Sequence, residues 1–245
     1  MDPSLYPRMA EVEDTHWWFA GRRAICDRLL DRLGLPPDAA ILEPGCGTGG
    51  NFPMLARRGR VFAMDADEAA LGYAASRKIA KLARGTLPDQ IPFDGVSFDL
   101  ALMTDVLEHL DDPARALQAI RARLKPQAWL LLTVPALAWL WSDHDLTHHH
   151  RRRYHAAELR GLLISSGFNV SYLSYYNFLL FPAITLARIA GTIMRGRSRV
   201  NGHHDLAMPS APLNRILFQL FAAERSIVGK LRIPAGVSLI ALARA

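Results

Sequence analysis

The chain has 245 residues, half of them hydrophobic, with 29 Lys and Arg against 23 Asp and Glu. That length suits one α/β domain with additions better than two domains, and a chain of this size folds without disulfide bonds or a structural metal. The two cysteines exclude a secreted disulfide scaffold and favour a reducing, cytoplasmic location. We expect neither a signal peptide nor a membrane span, because the first residues are polar and acidic and no run of 18 uncharged apolar residues occurs.

Charge is divided unevenly along the chain. Residues 1–125 are slightly acidic overall, whereas residues 126–245 carry a large excess of Lys and Arg. The second half is therefore where an anionic partner would bind. Nucleic acid, anionic lipid and phosphorylated small molecules all remain candidates on this evidence.

The first predicted elements are a helix and then a β–α alternation. A helix over 22–33 stops at a glycine, and residues 1–38 are predicted to form a helical cap on a domain of residues 39–245. Short β-rich runs then alternate with helical ones, a pattern typical of a parallel sheet. The predicted strands are 40–43, 60–65, 79–83, 98–103 and 128–134, and the predicted helices between them are 50–58, 67–77 and 113–124.

The alternation changes after residue 134. A polar loop over 141–154 leads to a predicted helix at 156–166 and a strand at 168–175, and a last strand is predicted at 235–243. The intervening residues are rich in Leu, Ile and Phe and contain a basic segment at 195–204. They are too many for a plain loop, so we predict an apolar helical insertion over 177–233.

The strongest motif is a glycine-rich turn at residues 41–50, Ile-Leu-Glu-Pro-Gly-Cys-Gly-Thr-Gly-Gly, between a predicted strand and a predicted helix. Glycines there let the backbone turn sharply and approach a ligand at the helix N-terminus. Gly45, Gly47 and Gly50 also satisfy the dinucleotide spacing G-x-G-x-x-G. On that spacing alone, an NAD-binding oxidoreductase remains an alternative.

Two carboxylates near the turn favour a different ligand. Glu43, two residues before the first glycine, would repel a pyrophosphate but suits a cofactor that bears an ammonium and a sulfonium. Asp65 ends the next predicted strand, where an acidic residue can bind both ribose hydroxyls. The alternative for Asp65 is an ordinary N-cap of the helix that follows it.

Five segments in order carry a resemblance to one family. They are Glu43-x-Gly45-x-Gly47-x-Gly49, 61–65, 85–93, 98–109 and 124–126. Together they resemble the class I S-adenosylmethionine-dependent methyltransferases, in particular a bacterial type 11/12-like subgroup. The resemblance implies an α/β, Rossmann-like, seven-stranded and mostly parallel sheet with helices on both faces, an antiparallel last strand and S-adenosylmethionine as cofactor. The cofactor-binding residues it implies are Arg22, Glu43, Gly45, Cys46, Gly47, Gly49, Asp65, Ala66, Thr86, Leu87, Thr104, Asp105 and His109.

Several of these residues have a second interpretation. Arg22 can grip the cofactor carboxylate, as an arginine does in related enzymes, or belong to an amphipathic helix that packs Trp17 and Trp18 on the sheet. We interpret Cys46 as a small filler because no catalytic triad surrounds it. His109 lies near the expected methyl group and can act as a general base or pack against the cofactor.

The loop of residues 139–154 is rich in His and Arg, and we interpret it as the acceptor-binding loop. Its arginines would bind a phosphate or carboxylate, while His144, His150 or Tyr154 would hold the hydroxyl to be methylated. A solvated basic loop is an alternative. A metal site is not predicted, because consecutive histidines cannot all face one ion. The loop resembles a His-Asp…His-x-Arg-Arg-Tyr pattern in a bacterial methyltransferase subgroup associated with surface polysaccharide and glycolipid pathways.

The apolar insertion contains two predicted helices, 177–194 and 213–229. They can cover the sheet, pair with a second subunit, or lie on the cytoplasmic leaflet with Arg195, Arg197 and Arg199 at anionic headgroups. We therefore predict O-methylation of an acidic, lipid-linked or glycolipid acceptor at the inner membrane surface. The alternatives are a soluble small-molecule methyltransferase and a non-catalytic nucleic-acid-binding module, which only the basic loop supports. The sequence leaves the oligomeric state open.

Overall fold

A computed structural model describes residues 3–194 and 206–245, except the side chains of residues 3, 143, 144 and 189–194. The predicted basic segment, with Arg195, Arg197 and Arg199, lies outside the described residues. Within the described part of the chain, no helix combines the length and hydropathy that crossing a bilayer requires.

A seven-stranded sheet forms the centre of the described structure, as the resemblance implies. Its strands are β1 (Ala39–Pro44), β2 (Gly59–Asp65), β3 (Lys81–Arg84), β4 (Phe98–Thr104), β5 (Leu124–Pro135), β6 (Asn169–Tyr176) and β7 (Ser238–Arg244). They lie in the order β3-β2-β1-β4-β5-β7-β6. The first five are parallel, and β7 pairs antiparallel with both β5 and β6. The predicted fold class is confirmed.

Nine α-helices surround the sheet within the described residues. They are α1 (Tyr6–Val12), α2 (Trp17–Leu30), α3 (Phe52–Ala56), α4 (Glu68–Ser76), α5 (Pro113–Arg123), α6 (Asp143–Thr147), α7 (Ala156–Ser165), α8 (Phe181–Met194) and α9 (Ala211–Ala223). Local capping fixes two of the starts: Asp67 accepts a hydrogen bond from the amide of Ala69, and Asp112 accepts one from the amide of Arg115.

Alternation along the buried strands fills two apolar layers. Ala40 and Leu42 of β1 face the layer that α5 and α7 cover, whereas Ile41 faces the layer that α2, α3 and α9 cover. Strands covered on both faces read as continuous apolar runs, which is why β1 and β5 were recognisable in the sequence. The strand order reverses between β1 and β4, and ligands collect at such a switch point, at the carboxyl ends of the strands.

The N-terminal region differs from the prediction. Helix α1 was not predicted, and α2 begins at Trp17, five residues before the predicted start at Arg22. Trp17 and Trp18 pack against the apolar layer on one face of the sheet, as predicted, and they also contact the insertion. The ring centroids of Trp18 and Phe221 are 5.3 Å apart and stacked, so the pair meets α9 of the insertion. Asn214 of α9 also accepts a hydrogen bond from the amide of Trp17 at 2.9 Å.

The contact between α2 and α9 gives a stability prediction. A Cβ added at Gly21 would lie 2.4 Å from Cδ1 of Phe221. We expect Gly21→Ala to lower the free energy of unfolding by about 1–3 kcal/mol because it overpacks the contact. Gly72→Ala in α4 is the matched control, since no atom lies within 4 Å of the added Cβ there. Alanine should raise stability at that position by about 0.5–1 kcal/mol. Denaturant unfolding measures the free energy of unfolding of both variants. Equal changes in Gly21→Ala and Gly72→Ala would contradict the close contact between Gly21 and Phe221.

Candidate functional site

A cavity of about 970 Å³ opens at the carboxyl ends of β1, β2 and β4. Its volume is at the upper end of the range for small-molecule sites, which is sufficient for a cofactor and part of an acceptor. Most of the predicted site residues line it: Arg22, Gly45, Cys46, Gly47, Asp65, Ala66, Thr86, Leu87, Thr104, Asp105, His109 and His150. The predicted residues Glu43, Gly49 and Tyr154 are not among its lining. The side chain of His144 lies outside the described part of the chain.

The glycine turn forms one wall of the cavity. Gly45 and Gly47 have φ values of 69° and 54°, in the left-handed region that favours glycine. A Cβ at Gly45 would lie 2.8 Å from Cγ2 of Val106. The amides of Gly45 and Cys46 donate to the carbonyl of Met64 at 2.8 and 3.1 Å, which ties the turn to the end of β2.

Asp65 lies beside this turn at the end of β2. Its Oδ2 accepts a hydrogen bond from the amide of Gly47 at 2.8 Å, and its Oδ1 accepts one from the amide of Asp67 at 3.0 Å. The N-cap of α4 is Asp67, so the alternative role of Asp65 as that helix's N-cap is excluded. The carboxylate is thus fixed at the cavity with oxygen lone pairs left to accept from hydroxyls.

Glu43 differs from its predicted role. Its side chain is buried, and its Oε1 accepts a hydrogen bond from Nδ2 of Asn51 at 2.8 Å. Asn51, which does line the cavity, also contacts Oγ1 of Thr104 at 3.1 Å. We therefore correct the predicted contact with the cofactor's ammonium: Glu43 positions Asn51 and does not face the cavity itself.

Burial gives Glu43 a measurable pH signature. Desolvation raises its pKa to about 8, so the native state keeps a proton that the unfolded state loses near pH 4.5. Its contribution to stability therefore falls as pH rises from about 4.5 to about 8. Glu43→Gln keeps an oxygen for Asn51 and cannot ionise. We expect this variant to gain stability over the wild type through that interval, measured by urea unfolding at several pH values. A difference in stability between the variant and the wild type that stays constant with pH would contradict the raised pKa of Glu43.

The buried Arg22 and the partly exposed Asp105 form an ion pair at the methionine end predicted for the cofactor. A guanidinium Nη of Arg22 donates to Asp105, and Oδ1 of Asp105 accepts from Oγ1 of Thr133 at 2.9 Å. Asp105 has a φ of 56°, an uncommon value for a non-glycine residue. The buried Nε of Arg22 has no hydrogen-bond partner among the described residues. That donor is suited to a carboxylate.

Helix α1 covers the glycine turn and adds residues that sequence reasoning missed. Tyr6, Met9 and Glu13 line the cavity. Oε1 of Glu13 accepts hydrogen bonds from Oγ1 of Thr48 at 2.5 Å and from Nη2 of Arg77 at 2.7 Å. The segment carries no capping signal or clear periodicity, and these partners are distant in sequence. Nothing local indicated the role.

A second polar group reaches the cavity from the loop after α6, through His150 and Arg153. Nδ1 of His150 is 2.9 Å from Oδ1 of the buried Asp145. Arg153 donates to both oxygens of Asp145, from Nε at 2.8 Å and from Nη2 at 2.9 Å. Burial alone would raise the pKa of Asp145, but the hydrogen bonds from His150 and Arg153 outweigh it and hold that pKa below its ordinary value. Asp145 thus stays charged and fixes the orientation of His150.

The loop therefore differs from the prediction in two ways. Arg153 lines the cavity, but its guanidinium donates to Asp145 and to the carbonyl of Ala136. Arg151 pairs with Asp111 through Nη1 at 2.5 Å. The hydroxyl of the buried Tyr154 donates to the carbonyl of Leu107 at 3.4 Å, outside the cavity. We correct the assignment of Tyr154: with Arg151, it holds the loop onto the segment after β4. Arg153 instead binds within the loop and to the residue that follows β5.

Glu108 and His109 also line the cavity and lie close to His150. Glu108 is fully buried, and neither of its oxygens has a hydrogen-bond partner among the described residues. Desolvation raises the pKa of Glu108 well above its ordinary value. Desolvation and the neighbouring His150 lower the pKa of His109 to about 4. Sequence reasoning identified His109 here but gave Glu108 no role.

The cavity, the glycine turn and the acid after β2 define a Rossmann-like enzyme with a nucleoside-containing cofactor. Residues 18–173 match the family model described as a methyltransferase domain. A relative from Mycolicibacterium smegmatis, named as an S-adenosylmethionine-dependent methyltransferase, is 29% identical over 177 residues, covering 69% of this chain and 67% of that one. A similarly named relative from Mycobacterium tuberculosis is 28% identical over 161 residues, covering 64% of this chain and 58% of that one.

The fold also occurs in solved structures. In the complex between the Haloferax volcanii Trm112 methyltransferase activator and a methyltransferase, one chain aligns with a TM-score of 0.64 at 16% identity, over 99% of this chain and 96% of that one. This chain belongs to the S-adenosylmethionine-dependent methyltransferase family, with S-adenosylmethionine as its cofactor. The residues present fit that cofactor, because Asp65 and the unpartnered Nε of Arg22 offer an acceptor and a donor at the cavity.

Proposed function

We propose that this enzyme methylates a hydroxyl of a lipid-linked or glycolipid acceptor at the cytoplasmic membrane surface. The observation that carries the proposal is an exposed apolar stripe on α9. Leu213, Ile216 and Leu220 are 48%, 53% and 44% exposed and share one face of the helix. A neighbouring side of the helix packs on α2 through Phe221. Such a stripe is typical of a helix that lies on a bilayer.

Apolar exposure continues towards the cavity along α8. Ile184 and Arg188 line the cavity, while Leu186 of the same helix is 67% exposed. The exposed ring of Trp139 lies 6.0 Å from that of Phe181, between their centroids. Trp side chains favour the boundary between a bilayer and water. This surface supports an acceptor whose apolar part remains in the membrane while its hydroxyl enters the cavity.

The chemistry needs an aligned oxygen and an acceptor for its proton. The cofactor supplies a methyl group activated by a sulfonium. The acceptor oxygen forms a bond to that carbon as the carbon–sulfur bond breaks, the electron pair stays on sulfur, and the hydroxyl proton leaves. Alignment can supply about 7–11 kcal/mol in favourable cases. His109 and His150 line the cavity and are the candidate groups for handling that proton.

Liposome flotation tests the membrane part of the proposal. The wild type should float with vesicles containing anionic lipid, because apolar contact and basic side chains both favour that surface. Replacing Leu213, Ile216 and Leu220 with Gln should reduce the floated fraction at least about ten-fold. The control is the double variant Ile79→Gln and Ile164→Gln, since both residues are exposed outside the insertion. A wild-type protein that stays at the bottom, or a stripe buried in a dimer, would overturn the proposal.

Mass spectrometry tests the acceptor. After incubation with isotopically labelled S-adenosylmethionine and a membrane-lipid extract, a lipid product should carry one added methyl group as an ether. Base treatment distinguishes the ether from a methyl ester, because only the ester is cleaved. Methylation of water-soluble compounds alone would contradict the lipid acceptor.

A further inference from the structure

Three side chains at the acceptor end of the cavity form a cluster with metal-ligand chemistry. One ligand atom each from Glu108, His109 and His150 lies within 4.8 Å of the others. Glu108 and His109 follow β4 in a short 3-10 helix, and His150 comes from the loop after α6. Two distant segments therefore bring one carboxylate and two imidazoles together.

The state of Glu108 points to a missing partner. Its side chain has no exposed surface, and both oxygens lack a hydrogen bond from any described residue. Burying a carboxyl group without a partner costs free energy, so such groups usually pair with a charge or coordinate a metal. Nδ1 of His109 is also buried without a partner in the described structure. A single cation would satisfy both groups.

His150 is oriented for coordination. Because its Nδ1 lies 2.9 Å from Asp145, its other nitrogen, Nε2, is directed to Glu108 and lies 3.9 Å from Oε1. Arg153 in turn fixes Asp145 through two hydrogen bonds. A carboxylate on the far nitrogen of a histidine is the usual support for a metal ligand, since it sets the tautomer and the ring orientation.

We propose that Glu108, His109 and His150 bind one divalent transition-metal cation, with Zn²⁺ as the reference ion, and leave a coordination position open to the cavity. Two imidazoles and one carboxylate suit Zn²⁺, Mn²⁺ or Fe²⁺ better than Mg²⁺ or Ca²⁺, which prefer oxygen ligands. With bonds of about 2.0–2.2 Å, ligand atoms in such a site lie roughly 3.3 Å apart. Side-chain rotations that move the ligand atoms by about an ångström bring the three side chains to that spacing.

The bound cation would take part in the proposed methylation, and this catalytic role rests on the proposed function. An acceptor hydroxyl that takes the open position replaces a water, and coordination lowers its pKa. Its proton passes to solvent, the oxygen attacks the methyl carbon, and the metal keeps its oxidation state. Binding of the cation to the cluster does not depend on the identity of the acceptor.

Metal titration of the full chain tests the site. After chelator treatment, the protein should bind one equivalent of Zn²⁺ or Co²⁺, and Co²⁺ should give the visible absorption of a site with nitrogen ligands. Glu108→Gln and His150→Ala should each weaken binding at least about ten-fold. The matched control is His149→Asn, because His149 is exposed and asparagine tolerates its φ of 55°. This control should bind the metal as the wild type does.

Three results would overturn the proposal: no bound Zn²⁺ or Co²⁺, equal losses in His149→Asn and His150→Ala, or unaltered binding in Glu108→Gln. The equal losses would show that the histidine tract binds metal adventitiously. A far-UV circular dichroism spectrum and an unfolding midpoint like those of the wild type show that each variant is folded, and His109→Gln replaces any variant that is not. Full-rate lipid methylation by the chelator-treated enzyme would remove the metal's role and leave the proposed function intact. Metal binding without lipid methylation would leave the metal site intact and contradict the proposed function.

Discussion

Replacing Asp65 with alanine should weaken S-adenosylmethionine binding at least about 100-fold. The carboxylate is fixed by the amides of Gly47 and Asp67 and lies at the cavity, where we assign it to the two ribose hydroxyls. Hydrogen bonds to a charged group contribute about 1.5–3 kcal/mol each, and both would be lost together. Isothermal titration calorimetry measures the change directly.

The control for this prediction is Asp67→Asn. It removes a negative charge from a second acidic residue that lines the cavity, and asparagine caps a helix about as well as aspartate does. We expect its affinity to stay within a few-fold of the wild type. An equal loss in both variants would show a general electrostatic effect, and unchanged affinity in Asp65→Ala would remove the ribose assignment.

Replacing His150 with alanine should reduce turnover at least about 100-fold and leave cofactor affinity within two-fold of the wild type. His150, the glycine turn and Asp65 all line the cavity. We assign the acceptor to the part beside His150 and the cofactor to the part beside the turn and Asp65. Whether His150 receives a proton or holds a cation, it acts in the transfer step and not in cofactor binding. Single-turnover kinetics and calorimetry separate the two quantities.

His149→Asn is again the control. His149 is exposed, and it lies far from the glycine turn in the sequence. Its turnover should match that of the wild type. If His150→Ala instead raised the Kd for S-adenosylmethionine and left the transfer rate unchanged, the division of the cavity into a cofactor end and an acceptor end would be wrong.

Local signals made the cofactor end of the site predictable. The glycine turn, the acid after β2 and the helix start at Asp112 each depend on residues close together in sequence, and the structure has each element in place. The apolar runs of β1 and β5 were equally local, because parallel strands are covered on both faces. The expected order of these segments then followed from the family resemblance.

The acceptor end was harder to predict because its geometry depends on distant pairs. Spacing alone could not show that Arg153 is bound to Asp145, or that Glu108 faces His150 across forty residues of chain. Consecutive histidines cannot all face one ion, and spacing in the sequence could not show that His150 lies beside Glu108 and His109. The burial of Glu43 was missed for the same reason.

The hydrogen bond between Trp17 and Asn214 joins positions 197 residues apart. During synthesis, α2 therefore emerges long before α9 exists to cover Trp17 and Trp18. Contacts of such long range form late, after the entropy of closing the loop has been overcome. The nascent chain thus carries two indoles without their final partner while the ribosome completes most of the sheet.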